Sequence, residues 1–370
     1  LFDLNFIKAE GSYLWNDKNE KYLDLYGGHA VISIGHSHPT YVQKVTEQLQ
    51  HIGFYSNSVK IPIQEEVAEK LGKISGYEDY SLFMCNSGAE ANENAIKLAS
   101  FHTKKKKNIC FTKAFHGRTA AAVAATDNKS IIAPTNESDN FIFVPFNNTT
   151  ALEEAFKNHE ISSVIIEGIQ GVGGVQIPEV SFLEKIRSLC DEHEAVFICD
   201  EIQSGYGRTG KFFAHQHAQV QADIITIAKG MGNGFPVGGV LIAPKFQAKH
   251  GLLGTTFGGN YLACAASLAV LETIEKENLL QNATDLGNYL YEALKDDPLI
   301  HEIRYQGLMF GIELKVSCAP LRNKLLSEFN ILTGNASCPK TLRILPALNI
   351  TKTELDAFIE AFKILSKSNL

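Results

Sequence analysis

Short apolar runs rich in β-branched residues alternate with longer helical patterns through the middle of the chain, and this alternation narrows the available folds more than any other feature. Residues 80–85 run into a helical pattern opening at Gly88, and residues 164–167 are followed by one carrying Phe182. Val196–Asp200, Ile224–Ile227 and residues 237–242 supply further apolar runs. Strands this uniformly apolar are buried on both faces, so the pattern predicts an α/β fold with a mainly parallel sheet and helices on either side. Residues 181–194 illustrate the crossover helix, because Phe182, Leu183, Ile186, Leu189 and Cys190 share one helical face. Ser181 and Glu184 there have the spacing of a capping box.

The ends of the chain read differently. The first 35 or so residues carry short alternating runs such as Tyr13-Leu14-Trp15 among Gly and Asn, which predicts strands and turns. From about residue 262 an Ala- and Leu-rich helical pattern leads into residues 302–314, which predicts a second, smaller domain beginning near residue 273. A chain of 370 residues easily builds a core of that extent. The run Lys104–Lys107 reads as a solvated helix end.

Composition closes off several functions. The net charge of −7 offers no general positive field, so neither nucleic acid nor an anionic bilayer is an expected partner. No apolar stretch nears the roughly 18 residues of a membrane span. The first residues, Leu1-Phe2-Asp3, lack the pattern of a signal peptide, and a start at Leu suggests that a few initial residues are missing. Seven scattered cysteines with no C-x-x-C pair read as reduced thiols, so the expected location is the cytoplasm.

Four motifs carry chemistry. Cys85-Asn86-Ser87-Gly88-Ala89-Glu90 follows an apolar strand and opens an Ala-rich helix, where Ser87 and Glu90 have capping spacing. Backbone N–H groups at such a helix start can hold a phosphate, although the same residues could simply cap a helix. Asp200, Glu201 and Gln203 emerge from a buried strand at the sheet edge where open α/β folds bind ligands. A carboxylate there needs a cation or strong donor, unless it caps the next turn. Lys229 closes a third apolar run, where burial would lower an amine's pKa toward the neutral form that imine chemistry needs, although a lysine there could also snorkel to the surface. Phe115-His116-Gly117-Arg118 pairs an aromatic face with a guanidinium that could fork to a carboxylate.

Together these motifs resemble the class III, or subgroup II, aminotransferases of the pyridoxal-phosphate fold type I superfamily. The resemblance runs from Gly35-His36-Ser37-His38-Pro39 to Arg343-Ile344-Leu345-Pro346. It implies a seven-stranded, mainly parallel sheet in a large domain spanning residues 46–273. A smaller α+β domain would comprise residues 274–370, with the segment 1–45 packed on it.

The implied cofactor is pyridoxal 5′-phosphate. The resemblance gives Lys229 its covalent attachment and the proton shuttle, and gives Asp200 the pyridinium nitrogen. Gln203 would touch the ring oxygen and Phe115 the ring face. Ser87, Gly88 and Ala89 would line the phosphate site, with Glu167 in the next wall. Thr256 would reach the phosphate of a neighbouring subunit, which implies a homodimer. Arg118, supported by Thr255, would bind the carboxylate distal to the reacting carbon, and Arg343 the α-carboxylate of glutamate. His29 falls where relatives vary their specificity, though it could equally be structural.

The wording of residues 86–93, 115–119 and 254–260 resembles members that move the δ-amino group of an N-acylated ornithine, acetyl or succinyl, to 2-oxoglutarate. An ω-aminotransferase of the ornithine or 4-aminobutyrate type and a glutamate-semialdehyde-type aminomutase are the alternatives. One departure stands out: relatives commonly carry a glutamate where Val172 stands, and that acid neutralises the arginine corresponding to Arg343.

Other motifs read as decoys. The near-P-loop at residues 205–212 has Phe212 where a hydroxyl should bind Mg²⁺. His36 with His38, and His215 with His217, lack a convincing further ligand set, so no metal is expected.

Overall fold

The computed structural model describes residues 2–368. An antiparallel ribbon opens the chain, with β1 (Phe6–Glu10), β2 (Tyr13–Asn16) and β3 (Lys21–Asp24). The central sheet takes the next seven strands: β4 (Ser81–Cys85), β5 (Lys107–Phe111), β6 (Phe141–Val144), β7 (Ile161–Glu167), β8 (Val196–Asp200), β9 (Ile224–Ile227) and β10 (Gly238–Ile242). Their order is β4-β10-β9-β8-β7-β5-β6. Only β10 runs antiparallel to its neighbours, so the expected mainly parallel, seven-stranded sheet is present.

Burial explains the strand composition. Every residue of β7, β8 and β9 is buried, which removes the need for a polar face and leaves near-continuous Ile and Val. Helix Gly88–Thr103 packs across β7 to β10 on one face through Ala91, Ala95, Ile96 and Ala99. Val180–Glu192 covers the other face with Phe182, Leu183, Ile186, Leu189 and Cys190. Its N-terminus corrects the expected capping box: Glu179 is the N-cap and makes no side-chain cap bond. The extended backbone after Pro178 starts the helix a turn position early, and the Glu179 carbonyl takes the Phe182 and Leu183 N–H groups. The lysine run is split, with Lys104 ending the helix in a left-handed cap and Lys107 opening β5.

Two long helices, Tyr261–Lys276 and Leu279–Leu294, lead out of this layer, and the boundary expected near 273 falls inside the first. The chain then adds β11 (Ile300–Gln306), β12 (Met309–Leu314), β13 (Ile331–Leu332), β14 (Gly334–Asn335) and β15 (Thr341–Ile344). Four of them form a sheet in the order β11-β12-β15-β14, while β13 leaves to pair in parallel with β3. Further backbone bonds tie the two ends of the chain: Leu25 N–H to Leu332, Leu345 N–H to Leu25 and Leu348 N–H to Ser33, at 2.7–2.9 Å. Among the described residues, no helix is long and apolar enough to cross a membrane.

Candidate active site

A cavity of about 370 Å³ opens at the carboxyl ends of β7, β8 and β9. Ser87, Gly88, Ala89, Phe115, Arg118, Glu167, Asp200, Gln203 and Lys229 all line it, so the structure gathers most of the expected residues at one place. Its size is that of a small-molecule site.

Asp200 ends β8 and is buried with every oxygen engaged. Oδ2 accepts from Asn92 Nδ2 at 2.8 Å and bonds His116 Nδ1 at 2.7 Å, and Oδ1 accepts from Ile202 N–H at 3.0 Å. Asn92 is itself held, since its Oδ1 accepts from Thr226 Oγ1 on β9 at 2.8 Å and its amide also donates to the His116 carbonyl. Burial opposes a charge on His116, but the Asp200 hydrogen bond, the Asp200 charge and Glu167 outweigh it and raise the imidazole pKa. The far nitrogen, His116 Nε2, is buried with no hydrogen-bond partner. Sequence reasoning missed Asn92 and His116 as supports, although a fully buried Asn on an Ala-rich helix face was a signal that something polar faced it.

Lys229 follows β9 on a turn and has φ +44, a left-handed conformation that a residue with a Cβ rarely adopts. Burial lowers its pKa to about 8, against the opposing pull of Asp200 and Glu167, and Arg343 lowers it further. The amine is therefore substantially neutral just above neutral pH. Glu167, at the end of β7 and in register with Asp200, is pushed up to about 7 by burial first and by the Asp200 charge. Its two oxygens accept the Phe115 and Gly171 N–H groups, both at 2.9 Å, and so fix the wall that carries the Phe115 ring.

At the cavity's other end helix Gly88–Thr103 begins. Ser87 is its N-cap and accepts the Glu90 N–H at 3.2 Å. Glu90 reaches back to Asn86 N–H rather than to Ser87, so only half of the expected box forms. The Gly88 and Ala89 N–H groups, in the first turn, have no intrahelical partner and can take an anion. Gly88 also owes its identity to packing, because an added Cβ would sit 2.8 Å from Ile202 Cδ1.

Arg343, on β15 and 3 % exposed, stands behind this wall. It donates to the Asn335 carbonyl at 2.6 Å, Gln203 Oε1 at 3.3 Å and Tyr26 Oη at 2.9 Å. Gln203 in turn donates to the His29 carbonyl at 3.1 Å, so one amide links Arg343 and His29 to the cavity. Thr255 and Thr256 do not line the cavity of their own chain. Thr255 Oγ1 receives the Gly258 N–H and an Asn86 amide proton, and Thr256 is exposed.

The decoys resolve into structure. Residues 205–212 form turns, with the Arg208 guanidinium buried against the Leu308 and Pro346 carbonyls and its pKa lowered to about 9 by burial. His36 pairs with Asp24 and His38 with Glu277. Cys199, Glu201 and His215 bring potential ligand atoms within 4.8 Å of one another. Those atoms are committed: His215 Nδ1 bonds Glu201 at 2.7 Å and Nε2 bonds Tyr77 Oη at 2.6 Å.

An amine of lowered pKa, a carboxylate locked by donors and a helix start with free N–H groups around one cavity define the site of a pyridoxal-phosphate-dependent enzyme, and the residues present fit that cofactor. The family model for class III aminotransferases matches residues 2–365. An acetylornithine aminotransferase of Nitrosomonas europaea is 40% identical, over 96% of this chain and 93% of its own. One of Bacillus subtilis is also 40% identical, over 98% and 94%. Among solved structures, an ornithine aminotransferase of Toxoplasma gondii superposes with a TM-score of 0.91 at 27% identity, covering 99% of this chain and 92% of its own. The chain belongs to the class III aminotransferases, and its cofactor is pyridoxal phosphate.

Proposed function

We propose that the enzyme transfers the δ-amino group of an N-acylated ornithine, acetyl or succinyl, to 2-oxoglutarate, giving an N-acyl glutamate semialdehyde and glutamate. The observation that carries this reading is the placement of two guanidinium groups: Arg118 on the cavity wall and Arg343 behind Gln203. In the acylated donor the reacting carbon lies a short aliphatic spacer from the α-carboxylate and carries no carboxylate of its own. Glutamate adds a second carboxylate beside its amino group. Arg118 serves the carboxylate common to both, and Arg343 serves the one that only glutamate has. The names of the relatives from Nitrosomonas europaea and Bacillus subtilis support the same donor.

The chain's own residues divide the work. Pyridoxal phosphate, when bound, supplies a ring that accepts the electrons released at the substrate carbon. Lys229 Nζ holds the cofactor and then moves the proton to and from that carbon. Asp200, fixed by Asn92 and His116, keeps a proton on the ring nitrogen. Gly88 and Ala89 hold the phosphate with Ser87 behind them, Phe115 covers one ring face, and the second amide proton of Gln203 is available to the ring oxygen. Glu167 shapes the wall through Phe115.

Thr256 and the apolar residues around it support a homodimer. Phe54, Tyr55, Val59 and Phe257 are exposed, with the Phe54 and Phe257 rings 5.4 Å apart. A second copy would cover them and bring its Thr256 to this phosphate site. Six of the seven thiols are buried and all are free, which fits a reducing cytoplasm.

Half-reactions followed by the cofactor's colour change test the reading. The acylated ornithines should convert the enzyme faster than free ornithine or 4-aminobutyrate, and turnover should require 2-oxoglutarate. Turnover without any keto acid would instead identify an isomerase. Arg118→Ala should weaken both half-reactions and Arg343→Ala mainly that of glutamate; equal losses from Arg343→Ala would remove the division of labour.

A further inference from the structure

The Arg343 guanidinium is buried, yet its three hydrogen bonds all go to neutral groups. Val172, which lines the cavity where relatives commonly carry a glutamate, offers no charge. Three of the five guanidinium N–H groups are used, one on each nitrogen, so each terminal nitrogen keeps one N–H free. The guanidinium thus retains donors for a carboxylate.

Tyr26 decides how these donors are aimed. Its hydroxyl accepts from Arg343 Nη2 at 2.9 Å and meets His29 Nδ1 at 2.5 Å. The oxygen takes the guanidinium proton, and the imidazole tautomer sets which partner donates in the bond to His29. The ring leaves no slack: a Cβ added to Gly334 would sit 2.1 Å from Tyr26 Cε2, and the Arg343 Cζ lies 5.5 Å from the ring centre. The backbone is equally committed. Gly27, Gly28, His29 and Ala30 have φ of +54, +56, +69 and +62, a full left-handed turn. For His29 and Ala30, which carry a Cβ, that conformation is strained. Asp24 anchors the turn by accepting the Tyr26 and Gly27 N–H groups at 3.0 and 2.9 Å, with His36 on its other oxygen. The effect of the left-handed turn is to fold His29 back beside Tyr26, ring centres 4.8 Å apart.

We propose that Tyr26, with His29 fixing its hydroxyl, is a positioning residue for the glutamate half-reaction: it holds the Arg343 fork ready for an α-carboxylate with no acid in the way. This rests on the reading of Arg343 as the α-carboxylate clamp. The donor of the other half-reaction brings no carboxylate to that place, so it does not draw on Tyr26.

Tyr26→Phe keeps the ring against Gly334 and removes only the hydroxyl. Glutarate, a dicarboxylate with no reacting amine, reports the clamp by calorimetric binding to cofactor-free and cofactor-loaded protein. The expected result is about tenfold weaker glutarate binding in both forms, the range of one charge-assisted hydrogen bond. The apparent KM for glutamate should rise by the same factor at an unchanged saturating rate, while the KM for the acylated donor stays within about twofold. His29→Ala should weaken glutarate in the same direction and by less. Equal losses in the two half-reactions of Tyr26→Phe would overturn the proposal, because a merely structural tyrosine predicts them. So would unchanged glutarate binding in Tyr26→Phe where Arg343→Ala destroys it. If Arg343→Ala leaves glutarate binding intact, the clamp reading itself falls and the Tyr26 proposal falls with it.

Discussion

A lysine at the end of an apolar strand is pressed toward its uncharged form, and the chemistry of this enzyme depends on that pressure. Burial lowers the Lys229 pKa to about 8 despite two nearby carboxylates. Since only the neutral amine attacks a carbonyl, capture of pyridoxal phosphate by the cofactor-free protein should speed up as pH rises and level off above about 8. Stopped-flow absorbance across pH 6–11 checks this, and an inflection near the ordinary lysine value of about 10.4 would contradict it. Lys229→Ala should lose the borohydride-fixed linkage altogether. Lys229 and Asp200 were legible in the sequence because each interrupts a run of Ile and Val at its end, where a charge is expensive without a task. Asn92, His116 and Tyr26 were not assigned roles, because the meaning of each lies in a partner more than 80 positions away: Asp200 for the first two and Arg343 for the third.

At the scale of the element, the start of helix Gly88–Thr103 is set by two demands at one residue. The backbone N–H groups must face the cavity, and the Cα of Gly88 must clear Ile202, whose Cδ1 and Cγ2 lie 2.8 and 2.9 Å from where a Cβ would be. Gly88→Ala should therefore weaken pyridoxal phosphate retention by about tenfold or more, since a small shift of the helix start misaligns every phosphate contact. Gly88→Ala combined with Ile202→Ala should recover most of it. Fluorescence titration of the cofactor reads both, and a double variant no tighter than the single one would show that the glycine is needed for something other than clearance. The sequence revealed this strand–turn–helix unit because a short apolar run ends at Cys85 and an Ala-rich helical pattern opens at Gly88. It did not reveal β13 and β14, which have two residues each, too few for any periodicity to register.

For the whole molecule, the exposed Phe54–Phe257 pair predicts assembly. Phe257→Asp should shift the protein toward monomer in sedimentation and lower turnover with it, because the neighbouring Thr256 would leave the partner's phosphate site. A monomer with full activity would remove the shared-site reading. The mainly parallel sheet was readable from its apolar runs alone, whereas the packing of segment 1–45 on the C-terminal domain was expected only from the resemblance, and the strand that makes it was not foreseen. Ile331–Leu332 is unremarkable as sequence, yet it supplies the parallel edge that β3 needs.

That edge has a consequence for biosynthesis. The ribbon of residues 6–24 is synthesised before the central sheet, but the strand that completes its own sheet follows some 300 residues later. Tyr26 and His29, held just beyond β3, cannot settle until that late strand has left the ribosome. Arg343 emerges last of the three. A growing polypeptide could thus assemble its central sheet and even capture cofactor while remaining unable to process glutamate, and competence would come only after Arg343 has emerged.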